Sequence, residues 1–182
     1  MSFNFGCGRS VPSVDEALQQ AYDTGVVTVA SVGNLGSEAC VSAPATAPHT
    51  IGVGGSTEGG CIGDYSLAGE GVDVLAPGGG EPSPDCLSVS SDPIYQVTLK
   101  DGSTRRFGEP SDYAGTSMAA AHVSGVAAMV LASGTLGPKL KGRAKVAAVT
   151  KRLRQTARSL ELPATRQGAG LIDAGAATLP GG

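Results

Sequence analysis

Apolar residues recur along this chain at two periods and in two dense runs, and together they predict its elements. Val14, Leu18, Ala21 and Tyr22 fall at helical spacing within VDEALQQAY, which predicts an amphipathic helix. Asp23 and Gly25 then read as the helix end and the turn after it. Val26, Val27 and Val29 follow at once, a β-branched run suited to a buried parallel strand. Ala119, Ala120, Ala121, Val123, Gly125, Val126, Ala127, Ala128 and Met129 leave almost no polar face, so this stretch predicts a helix buried all round. Val146, Val149, Leu153 and Ala157 form a single stripe, with Lys145, Arg152 and Arg154 on the other side; that pattern predicts a solvated amphipathic helix. IYQVTL and STRRF flank Asp101-Gly102 with period-two apolar residues and predict a hairpin. The hairpin lies in an excursion at about 79–112 whose start is dominated by Gly and Pro. A surface insertion is the plain reading of it; a flap or substrate contact is the functional one.

Composition narrows the classes. The 182 residues are enough for one domain with a real core, at 41% hydrophobic. Aromatic residues are only 4% and Trp is absent, which argues against base-stacking or carbohydrate platforms. Net charge is −3, yet nine of the 13 Lys and Arg lie between Lys139 and Arg166. That clustering raises nucleic-acid binding. The amphipathic stripe accounts for it without a partner, no nucleic-acid motif accompanies it, and no nucleic acid is expected. No run approaches the roughly 20 uninterrupted apolar residues of a membrane span. The first residues have no basic stretch followed by an apolar core, so no signal peptide is read there. The glycines of GVGGSTEGG are followed by no Gly-Lys-Ser/Thr and make no phosphate loop.

The chemistry concentrates in AGTSMAAAHVSGVAAM, residues 114–129. Gly-Thr-Ser before an apolar helix is ordinarily just an N-cap. The same geometry, however, would set the Ser117 hydroxyl at a helix N-terminus, where free N–H groups and the helix dipole favour developing negative charge. That makes Ser117 a candidate nucleophile. The segment resembles the nucleophile motif of the subtilisin-like serine peptidases, G-T-S-M-A-x-P-H-V-x-G, with Ala121 where the family has proline. GVVTVASVGN, residues 25–34, resembles the family's strand ending in Gly-Asn. PATAPHTIGVGG at 44–55, DYSLAGEGVDVLAPG at 64–78, LRQTARSL and GAGLIDAGAA match further family segments, in family order.

The resemblance implies a three-layer α/β/α fold with a mainly parallel sheet, and peptide-bond hydrolysis of a polypeptide substrate. It makes Ser117 the nucleophile. Asn34 and the Ser117 N–H become the oxyanion hole, and Ser31, Val32 and Gly33 the strand beside the specificity pocket. No cofactor and no metal ligand are assigned, and structural calcium, common in the family, is placed on no residue. The four cysteines fit no zinc template; their even count suggests two disulfides with three connectivities. Cys7 with Cys40 and Cys61 with Cys86 is the preferred pairing. Secretion or the cell surface is expected from the family.

A serine hydroxyl needs a general base, and the base an orienting carboxylate. In subtilases both precede the serine, in the order Asp, His, Ser. No H-G-[ST]-H segment occurs here, and MSFNFG resembles the strand that follows those elements. Asp23-Thr24-Gly25-Val26 spells the family's aspartate motif, but a helix rather than a strand precedes it. His122 lies five residues after Ser117 on the same predicted helix, and His49 lies in a loop; neither is placed to act as the base. The chain therefore reads as the back part of the catalytic domain, inactive unless the N-terminal half completes it. The alternative is a pseudopeptidase that binds or regulates. The missing strands would leave the strand at Val26 to Ala30 with an apolar edge prone to aggregation.

Overall fold

The computed structural model describes residues 10–36, 40–86, 92–109 and 112–180, and among these described residues the chain forms five helices and five strands. Helix α1 (Pro12–Thr24) begins on a proline, whose missing N–H costs nothing at that position. It ends at Gly25, at φ 85°, with the Gly25 N–H closing on Ala21 and Tyr22 carbonyls. Asp23 is thus the end of a helix, as its surroundings in the sequence indicate. Its carboxylate pairs with Arg143 at 2.6 Å.

Strands β1 (Thr28–Ser31), β2 (Thr50–Ser56) and β3 (Val74–Pro77) pair in parallel in the order β1-β2-β3. The register sets Val29 against Ile51 and Val53 against Val74. The Leu171 segment bridges Leu75 beyond β3. One face of the sheet, through Val29, Ile51, Val53, Val74 and Ala76, packs on α2 (Thr116–Ser133), α3 (Gly142–Thr156) and α5 (Ala174–Thr178). The opposite face, through Ala30 and Leu75, is covered among the described residues by loop side chains, chiefly Val41, Ala45, Ile62, Leu67 and Val72. Both faces are buried, which is why β1 and β2 read as continuous apolar or small-residue runs instead of alternating. The α/β fold with a parallel sheet expected from the sequence is the fold observed. Among the described residues β1 is an outer strand.

Helix α2 departs from the expectation of burial all round. Ala119, Ala120, Val123, Val126, Ala127 and Val130 are buried, whereas Met129 is 51% and Leu131 43% exposed. Its length and mean hydropathy of 1.4 would suit a membrane span, yet its inner face is part of the core under the sheet. In α3, Val146, Val149 and Leu153 are buried as the stripe predicts. Arg152 is not on a solvated face: it donates to the carbonyls of Ala176, Ala177 and Leu179 at the end of α5. The hairpin is real but shorter than its pattern suggested, with β4 (Thr98–Leu99) antiparallel to β5 (Phe107–Gly108). The short helix α4 (Ala164–Gln167) follows α3. Cys61 and Cys86 form the expected disulfide; Cys40 is also disulfide-bonded, and Cys7 lies outside the described residues.

Candidate active site

Parallel strands deliver loops to one end of a sheet, and the candidate residues meet there. β1 ends at Ser31, and Val32, Gly33 and Asn34 carry the chain past its C-terminal end. α2 starts at the same place, with Gly115 as its N-cap. The two segments are joined by Thr116. Its N–H and its hydroxyl both donate to Asn34 Oδ1, at 2.9 and 2.7 Å, while its Oγ1 accepts the Gly33 N–H at 3.2 Å. Two donors on Oδ1 fix which way the Asn34 amide is turned. Nδ2 is thereby directed away from Thr116, and no hydrogen bond among the described residues uses it. A Cβ at Gly115 would lie 2.9 Å from Nδ2, and its φ of +149° is unfavourable to any side chain. Glycine at this position lets the amide pass.

The first turn of α2 shows a matching gap. The Thr116 N–H is taken by Asn34; those of Met118 and Ala119 reach the Gly115 carbonyl at 3.1 and 3.4 Å. The Ser117 N–H has no acceptor among the described residues, and neither does its half-buried hydroxyl have a partner. An N–H at a helix N-terminus, an amide Nδ2 and a hydroxyl, none of them paired among the described residues, thus share one corner. Such donors suit an anion forming on a substrate carbonyl.

Ser31 is 4% exposed and Val32 is fully buried in the loop-covered core. Gly33 is tied at both ends, through its N–H to Thr116 and its carbonyl to the Leu67 N–H. His122 Nδ1 lies 3.0 Å from the Met118 carbonyl, one turn back on its own helix. His49 stacks on Tyr22 at 3.8 Å, at the opposite end of the sheet. The described residues bring no histidine to Ser117, and no group of three His, Cys, Asp or Glu among them could hold a metal ion.

Two contributors escaped the sequence reading. Thr116 was legible only as an N-cap, because its role depends on a residue 82 positions away. Tyr65 packs its ring against Gly55 and Gly63 and donates its hydroxyl to the Gly79 carbonyl at 2.8 Å. Burial, with Asp64 nearby, pushes that phenol far above its usual range, so it stays a neutral donor. It props the turn whose Gly78 carbonyl accepts the Gly115 N–H at 2.8 Å. A lone aromatic between glycine-rich stretches was its only signal.

This chain belongs to the subtilase family, which it matches over residues 1–170. It is 35% identical over 177 residues to an extracellular protease of Xanthomonas campestris pv. campestris, covering 94% of this chain and 27% of that protein. It is 34% identical over 134 residues to a subtilisin of Bacillus pumilus, covering 72% of this chain and 42% of the relative. The chain thus spans less than half the length of either relative. Among solved structures, a protease from Pseudoalteromonas arctica superposes with a TM-score of 0.77 at 27% identity, over 97% of this chain and 49% of that one. The patellamide maturation protease PatA superposes at 0.72 with 26% identity, over 97% and 58%.

Proposed function

We propose that this chain is the nucleophile- and oxyanion-bearing part of a secreted serine endopeptidase. The Ser117 N–H, without an acceptor among the described residues and beside the oriented Asn34 amide, is the observation that carries this reading. In the proposed reaction Ser117 Oγ attacks a peptide carbonyl as its proton passes to a base. The carbonyl oxygen becomes an oxyanion held by the Ser117 N–H and Asn34 Nδ2. Collapse of the tetrahedral species breaks the C–N bond, the base returns the proton to the leaving amine, and water releases the acyl group by the reverse route.

The base comes, in this reading, from the N-terminal half of the catalytic domain, because both histidines of the chain are engaged elsewhere. The outer face of α2 supports that partner. Ala121, Gly125, Ala128, Met129 and Ala132 lie at helical spacing and are exposed, an apolar stripe that water does not favour. Secretion is supported by the disulfide chemistry and by the extracellular relative. Ser31 to Gly33 would contribute backbone, not side chains, to the substrate cleft.

The test is labelling with a fluorophosphonate probe, with and without the N-terminal half supplied in trans or by fusion. Labelling of Ser117 only in the completed protein supports the reading. Absence of labelling in the completed protein, with the fold intact, returns the chain to a binding role.

A further inference from the structure

The residues before and within β4 alternate with reversed polarity. Ile94, Gln96 and Thr98 are half-buried. Tyr95, Val97 and Leu99, the large apolar ones between them, are 83%, 68% and 43% exposed. Phe107, paired with Leu99 across the ladder, is 66% exposed. An antiparallel ribbon with one wet face ordinarily turns its apolar side inward. Here the inward side carries Gln96 and Thr98 beside Ile94, and the outward side is an apolar strip of four large residues, which marks a docking surface.

The root of the hairpin is tied to the candidate site. The Gly80 N–H donates to the Asp92 carbonyl at 3.1 Å, two residues after Gly78, which holds Gly115. The Ile94 N–H donates to the Tyr113 carbonyl at 2.8 Å, four residues before Ser117. Pro93, Ile94 and Tyr95 line a cavity of about 490 Å³ together with Ser56, Thr57 and His122 of α2. Ser56 Oγ and Thr57 Oγ1 are buried without a hydrogen-bond partner among the described residues. The tip carries Lys100, Arg105 and Arg106 against Asp101, a positive point on a chain of net charge −3. Arg105 and Arg106 form no ion pair among the described residues.

We propose that this hairpin is a docking strand for the polypeptide substrate. It takes an extended segment with apolar side chains on alternate residues and acidic residues where the segment passes the tip. The inference rests on the peptidase reading above. Among the described residues β4 and β5 pair only with each other, which leaves each strand an edge to which an extended peptide adds by main-chain hydrogen bonds while alternate side chains meet the apolar strip. The basic tip steers acidic residues and sets the direction of the segment.

The experiment uses the full chain carrying Ser117→Ala, so that binding is read without turnover. Two fluorescein-labelled peptides are titrated by anisotropy, each alternating Thr with Val or Leu, one ending in Asp-Glu-Asp and the other in Lys-Arg-Lys. The acidic peptide is expected to bind tighter, more so at low salt. Replacing Tyr95, Val97, Leu99 and Phe107 by Ser should weaken it by about tenfold or more. R105E/R106E should weaken it by about threefold or more and reverse the preference between the two peptides. Because these residues are exposed, the variants should keep the fold, checked by circular dichroism. Equal binding by parent and variants overturns the proposal. So does a parent dimer that the Ser variant dissociates, since a second copy would then occupy the strip. Protection of Tyr95 and Phe107 by the N-terminal half alone, without peptide, overturns it as well. Fluorophosphonate labelling of unsubstituted Ser117 in the completed protein reports on the peptidase reading separately.

Discussion

The two ends of the parallel sheet treat their polar groups in opposite ways. At the N-terminal end of the strands the polar groups close on one another. Asp73 accepts the Gly52 N–H at 2.9 Å and faces Arg154 at 3.4 Å; Tyr22 stacks on His49; Asp23 pairs with Arg143. At the C-terminal end, Thr116 is fully engaged, yet Asn34 Nδ2 and both the N–H and hydroxyl of Ser117 have no partner among the described residues. A folded chain ordinarily satisfies the polar groups it buries or half-buries. Groups left open beside neighbours that hold them rigid are prepared for something that comes and goes. The contrast separates structural polarity from chemical polarity more sharply than a count of either would.

The contrast can be broken from its open end first. In the completed protein, Ser117→Ala should lower kcat by roughly 10⁶-fold, a size known from subtilisin itself, with the fold unchanged by thermal melting. A loss below tenfold would remove Ser117 from the chemistry. Asn34→Ala should lower kcat by roughly 10²–10³-fold with little change in KM, again on a subtilisin precedent. A rise in KM alone would make Asn34 a binding group instead. Thr116→Val removes both the hydroxyl that holds Asn34 and the acceptor of the buried Gly33 N–H. It should cost about 1–3 kcal/mol in denaturant unfolding, and Thr116→Ser should recover most of that.

The closed end should respond weakly and without touching activity. Burial raises the Asp73 carboxyl above its usual value, against the Gly52 hydrogen bond and Arg154. The folded state therefore holds that proton more tightly than the unfolded chain does. Asp73 contributes most at pH below the ordinary carboxylate value and loses that contribution as pH rises through the raised one. Asp73→Asn, which keeps an acceptor for Gly52, should flatten the stability–pH curve in that window; a curve unchanged by it would show that Asp73 titrates normally. The smallest effect is expected of Arg154→Ala, under about 1 kcal/mol, because the guanidinium is largely exposed. A change in kcat from Arg154→Ala would mean that the two ends are coupled.

Local chemistry made parts of this visible in advance. Ser117 and Asn34 stand in dense motifs whose spacing repeats across a family. The end of α1 at Gly25 follows from a helical stripe running into a glycine. The inner face of α3 follows from its apolar period. The roles of Thr116 and Tyr65 were not visible, because each acts on a partner brought near only by the sheet. The burial of the Val32 side chain, just past β1, was not visible either, because its packing in the loop-covered core is made only by the tertiary structure. Arg152 looked solvated because its acceptors are backbone carbonyls at the end of α5, which carry no sequence signature.

By itself, then, the sequence determined the family, the α/β class and the positions of the main helices and strands. These rest on interactions within a few residues: capping, periodicity and β-branching. Only the tertiary structure decided the register of the sheet, the orientation of the Asn34 amide and the outward turn of the hairpin's apolar face. Those depend on contacts between segments far apart in the chain. A period-two pattern defines two faces of a strand equally well, and only packing against the rest of the molecule selects which one meets water.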